Sequence, residues 1–221
     1  SGDGTLVSPA EFIPLAEETG LIVPIGKYVL LRACADAGEL QRLGLPVCVS
    51  VNISAVQFRE ESFLGMVKGI LAQTALPPSL LELEITEGVL AHDIAAASAT
   101  LGELKAMGVR IAIDDFGTGY SSLSYLKRLP IDVLKIDQNF VRDMLGDRSD
   151  AAIIEAIVRL GQALDLELIA EGVENQAQVD RLLELGCELM QGYLYCRPMP
   201  FAQLSLFLEA DAASRSGQLS T

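Results

Sequence analysis

From Pro46 onward the chain alternates between two kinds of stretch, and nothing else in it constrains the fold as tightly. Short apolar runs begin at Val47 (VCVSVNI), Leu80 (LLELEIT), Val109 (VRIAID), Asp132 (DVLKID), Leu166 (LELIAEG) and Cys187 (CELMQGY). Between them apolar residues recur at helical spacing over 61–73, 94–107, 121–128, 150–164 and 176–185, and a last helix is expected after Pro200. Strands and helices in single file predict a parallel sheet with helices packed outside it. Ahead of this region, SPAEFIPLAEETG reads as a short helix. Ser8 is placed to cap it, Pro9 sits in its first turn, Glu11 completes a capping box and Gly20 ends it. A second helix is expected over about 26–43.

The expected fold class is therefore α/β. Six strands in order suggest most of an eight-fold (β/α) barrel, with an open doubly wound sheet as the competing layout. No composition break marks a linker, so 1–210 reads as one domain. The small, polar stretch 211–221 reads as a disordered tail. Of the 221 residues 50% are hydrophobic, enough for a sizeable core. The net charge of −14 argues against nucleic acid and against direct contact with anionic membranes. No apolar run reaches the ~20 residues of a membrane span, and no signal peptide is evident, so a cytoplasmic location is expected. Cys34, Cys48, Cys187 and Cys196 form no CxxC pair, and His92 is the only histidine, so a Cys/His zinc site is improbable. All four read as buried free thiols.

Both layouts put function at the carboxyl ends of the strands, and there the polar residues gather. The first run delivers Asn52, the second Glu84 with Glu87 beyond it, and the third Asp114 and Asp115. The fourth delivers Lys135 and Asp137, the fifth Glu171 and Glu174, and the sixth Gln191. Converging carboxylates raise one another's pKa and need compensation, most simply by a divalent cation. An all-oxygen donor set suits Mg2+ or Mn2+, and Ca2+ less specifically. A shared carboxylate flanked by others is the pattern of two-metal phosphoester hydrolysis, with Lys135 as a fixed positive charge near the attacking water. Plainer roles compete. Asn52 or Asp137 could cap the helix that follows, Lys135 could simply pair with Asp114, and Glu82 and Glu174 could be solvated. Gly117 and Gly119 could be turn residues only.

The segments LVSPAEFIPLAEETGLI, SVNIS, LELEITE, IAIDDFGTGYSSLSYLKRLPIDVLKID, LIAEGVE and MQGYLYCRPMP, in this order, resemble the EAL-domain family. These are phosphodiesterases that linearise the bacterial second messenger cyclic di-GMP, and the likeness runs to about Phe207. It implies a TIM-type barrel with one strand antiparallel to the rest. It implies Asn52, Glu84 and Asp114 as ligands of a first metal, and Asp114, Asp115 and Glu171 as ligands of a second. Lys135 would hold the attacking water, Glu87 would steady the loop after the paired aspartates, and Asp137 and Gln191 would lie in the polar network at the substrate. The product would be linear pGpG, the cofactor Mg2+ or Mn2+, with Ca2+ inhibitory. Dimers are common in the family, as is a sensory or diguanylate cyclase domain N-terminal to this one. The chain departs from the pattern in one place: no Glu-Ala-Leu precedes SPAEFIP. The expectation is a barrel lacking its first strand, with impaired hydrolysis. The alternative is an inactive cyclic di-GMP receptor module.

Overall fold

A computed structural model describes residues 7–90, 93–117 and 126–218. Two helices come first, α1 (Pro9–Glu18) and α2 (Ile22–Arg42). Six strands follow: β1 (Val49–Asn52), β2 (Leu81–Thr86), β3 (Arg110–Phe116), β4 (Val133–Ile136), β5 (Glu167–Ala170) and β6 (Leu189–Met190). They form one sheet in sequential order, every pairing parallel. Among the described residues nothing pairs β6 with β1, so the sheet is an arc of a (β/α) barrel. The antiparallel strand of the family pattern is not among the six.

The connections other than that from β3 to β4 carry helices: α3 (Ala55–Phe58), α4 (Phe63–Thr74), α5 (Glu87–Leu90), α6 (Ile94–Ala106), α7 (Gln138–Asp143), α8 (Arg148–Ala163) and α9 (Gln176–Leu185), with α10 (Phe201–Gln218) last. The helix expected over 121–128 falls largely outside the described residues, as do Gly119 and His92.

Strand register sorts the side chains onto two faces, because successive residues alternate. Leu81, Leu83, Ile85, Ile111, Ile113, Leu134, Ile136 and Ala170 are buried on the face the helices cover and make up the core. The other face is concave and polar. Ser50, Glu82 and Arg110 are register partners there, and Asn52 pairs with Glu84 one layer nearer the carboxyl ends. Backbone approach fixes two loops. Gly192 lies against Val173, so that a Cβ there would sit 2.1 Å from the Val173 carbonyl oxygen, and Val173 donates its N–H to the Gln191 carbonyl (3.0 Å).

Several local expectations need correction. Ser8 stands at the N-cap of α1, but its side chain makes no capping bond. The start is held by Pro9 and by the Ser8 carbonyl accepting from Glu11 and Phe12. The second helix begins at Ile22 rather than near 26. The stretch expected as a disordered tail continues α10 as far as Gln218, since Ala212 and Ala213 favour helix and nothing before them stops it. Residues 219–221 lie outside the described residues. Cys34 and Cys187 are buried free thiols, pushed up to about 11 by that burial, but Cys48 and Cys196 are exposed. Cys48 immediately precedes β1, which has no partner on its outer edge among the described residues, and Cys196 lies in the loop after β6, so apolar flanks do not cover either. No described helix is long and apolar enough to cross a membrane.

Candidate functional site

Lys135 organises the concave face at the carboxyl ends. It is 3% exposed, and its Nζ lies 2.7 Å from Glu84 Oε1, 2.5 Å from Glu171 Oε1 and 3.5 Å from Asp114 Oδ1. The plain pairing with Asp114 is thus the longest of three contacts. Burial by itself would lower the Lys135 pKa. The surrounding carboxylates outweigh it and raise the value, so the ammonium stays charged. Burial pushes Glu84 and Glu171 above the ordinary carboxylate range, with Lys135 opposing the rise.

The paired aspartates get to the same place by breaking strand regularity. In an unbroken strand Asp114 and Asp115 would face opposite ways. Instead β3 runs past both to Phe116, its register against β4 shifts between Ile113 and Phe116, and Asp115 takes φ +53°. This is a bulge, and it turns the second carboxylate towards the first. Ligand atoms of Asp114, Asp115 and Glu171 consequently lie within 4.8 Å of one another. The expectation that β3 ends at the two aspartates is corrected to a bulge inside the strand. A non-glycine residue at positive φ is costly and recurs where function requires it. Burial pushes the Asp115 carboxyl up to about 7, followed by a hydrogen bond shared with Asp137 and by the charges of Asp114, Asp137 and Glu171.

The remaining candidates fall around this centre. Asn52 is exposed at the end of β1, in register with Glu84, and does not cap a helix; Ser54 caps α3 instead. Asp137 does cap α7, accepting from the Asn139 N–H at 2.7 Å, while also facing Asp115. Glu87, buried at the start of α5, accepts from the Gly117 N–H at 3.0 Å and so ties down the first residue after β3. Among the described residues its other oxygen is buried without a hydrogen-bond partner. Gln191 and the exposed Glu174 line a cavity of about 220 Å³ beside Glu171.

Sequence reasoning missed the layer beneath. Glu82 is 4% exposed, not solvated; it accepts from Ser50 Oγ (2.7 Å) and from Arg110 Nε (3.2 Å). Arg110 also donates to Glu167 (2.5 Å). The available signal was period-two spacing, since Glu82 and Arg110 share the parity of Glu84 and Asp114.

Three carboxyl groups, Glu84, Asp114 and Glu171, thus crowd around one ammonium, and Asp115 lies beside Asp114 and Glu171. The excess negative charge, the proton held near neutrality by Asp115 and the all-oxygen donor set fit a hard divalent cation.

Comparison with known proteins agrees. The family profile described as EAL domain matches residues 1–198. MucR of Pseudomonas aeruginosa, named a bifunctional diguanylate cyclase/cyclic di-GMP phosphodiesterase, is 49% identical over 205 residues, covering 90% of this chain and 29% of that protein. The signaling protein YkoW of Bacillus subtilis is 45% identical over 206 residues, covering 93% and 26%. The chain therefore spans less than a third of these relatives. A solved structure described as PaMucR phosphodiesterase in complex with c-di-GMP superposes with a TM-score of 0.88 at 48% identity, covering 91% of this chain and 82% of that one. Strand order, acidic rim and these identities lead to one assignment: the chain belongs to the EAL domain family.

Proposed function

We propose that this chain is a phosphodiesterase module that opens one phosphodiester of cyclic di-GMP to give linear pGpG. The observation that carries the reading is the gathering of Glu84, Asp114 and Glu171 around Lys135 at the carboxyl rim, with Asp115 beside Asp114 and Glu171, in a chain of this family. Asn52, Glu84 and Asp114 would hold one Mg2+ or Mn2+, and Asp114, Asp115 and Glu171 a second. Bound there, the cations would offset the carboxylate charge and make a water molecule more acidic.

The chain's own groups divide the remaining work. Lys135 stays protonated and therefore cannot act as the base; it can orient the attacking water and stabilise negative charge. The water's proton needs an acceptor, and Glu171, 2.5 Å from Lys135, is placed to take it. Attack forms a bond from water oxygen to phosphorus and breaks the bond to the ribose 3′ oxygen, which leaves as a hydroxyl by taking a proton from solvent water. Glu87 would keep the loop after β3 in place through Gly117, and Asp137 and Gln191 would border the substrate. The relatives' greater length supports a longer parent protein with a sensory or diguanylate cyclase domain alongside.

Calorimetry with cyclic di-GMP in Ca2+, paired with product analysis in Mg2+ or Mn2+, tests the reading. Binding in Ca2+ with pGpG formed in Mg2+ is expected. Binding without product in any metal would make the chain a receptor, and absence of binding would refute both.

A further inference from the structure

The lower polar layer has no part in the proposed chemistry, yet it is built like the layer that does. Two long cationic side chains cross the concave face, one above the other. Lys135, on β4, ties Glu84 of β2 to Glu171 at the end of β5. Arg110, on β3, ties Glu82 of β2 to Glu167 of β5, reaching past β4. Glu82 and Glu84 are alternate residues of one strand. Glu167 opens another, β5, and Glu171 directly follows its last residue. In a flat sheet β2 and β5 would stand roughly 14 Å apart at ~4.8 Å per strand. The carboxylates of the upper layer meet only if the sheet curls about them. A cation entering the upper layer competes with Lys135 for Glu84 and Glu171. The Arg110 pairs are made with carboxylates outside the proposed ligand set, so they persist when the upper layer is rearranged.

We infer that Arg110 is a positioning residue: with Glu82, Ser50 and Glu167 it forms a strut across the arc that holds Glu84 and Glu171 at the spacing needed for a divalent cation. The inference rests on the metal-site reading above, so its test has one measurement free of metal. In chelator, the Lys135 ammonium, locked by Glu84 and Glu171, should give a resolved 15N NMR signal, identified by its loss in Lys135→Arg. Arg110→Met should broaden or shift that signal, and should weaken Mn2+ binding, followed by electron paramagnetic resonance, by about tenfold. Arg110→Lys should recover most of both. Glu167→Gln, at the exposed end of the strut, provides a milder cut if Arg110→Met does not fold. A Lys135 signal unchanged in folded Arg110→Met or Glu167→Gln protein would overturn the inference, even if the variant were less stable. Unaltered protein that binds no Mn2+ would overturn the metal reading instead, with the NMR signal still deciding the strut.

Discussion

Replacing Lys135 with methionine removes the ammonium that three carboxyl groups share while keeping the side chain's length and most of its volume. The structure sets the magnitude. Nζ makes contacts of 2.7 and 2.5 Å with Glu84 and Glu171 and a longer one of 3.5 Å with Asp114, at a residue 3% exposed. Removing one partner of a buried pair, so that the other charge is left alone, costs about 3–5 kcal/mol. For a chain of this size that is a fall in Tm of about 6–20 °C. Glu84 and Glu171, already raised by burial, would rise further and take up protons. An acid raised in the folded state weakens the fold as pH climbs, so the cost should shrink on moving from neutral to mildly acid buffer. A divalent cation should replace the missing charge. Urea unfolding of Lys135→Met against the unaltered chain, in chelator and in Mg2+, at two pH values, reads all of this. Hydrolysis should fall by at least about 100-fold even where Mg2+ has restored stability. Equal stability of the two proteins in chelator at neutral pH would refute the electrostatic reasoning, because three carboxylates cannot lose their cation there without penalty.

Three further outcomes follow from the same geometry. Asp115, whose folded pKa of about 7 lies above its ordinary 3.8, stays protonated in the fold where the unfolded chain has ionised, so metal-free stability should decline from about pH 4 to 7 and level off above; Asp115→Asn should flatten that decline in a series of thermal melts. Gly117 has φ +99°, and a Cβ there would lie 3.1 Å from Phe140 Cε2 and 3.3 Å from Ile157 Cδ1, so Gly117→Ala should cost about 1–3 kcal/mol in urea titrations. Glu87→Ala deletes the acceptor for the Gly117 N–H and should lower turnover by about 10-fold or more, while Glu87→Gln, which can still accept there, should lose much less in steady-state assays.

The strand order and the acidic rim were legible because they depend on period: six apolar runs separated by helical stretches, each run delivering a polar residue where it stops. What escaped depends on geometry that period does not carry. The Asp115 bulge uses a positive φ without a glycine to announce it. Glu82 looked like an ordinary solvated charge, and only its register against Arg110 on the next strand shows the partner that holds it inside. Helices α3 and α5 span four residues each, too few for an apolar stripe to repeat. Exposure of Cys48 and Cys196 follows from an unpaired edge and an open loop, which flanking apolar residues do not reveal.

The central claim is that these carboxylates hold cations for hydrolysis of a cyclic dinucleotide. Its most direct test is single-turnover conversion of cyclic di-GMP in 18O-labelled water, with Mg2+ titrated from chelator upward, for the unaltered chain and for Asp114→Asn. The account predicts pGpG carrying one labelled oxygen on its 5′-phosphate, a rate that rises with Mg2+, and little product from Asp114→Asn at any Mg2+ concentration. Product formed equally in chelator, or equally by Asp114→Asn, would contradict it.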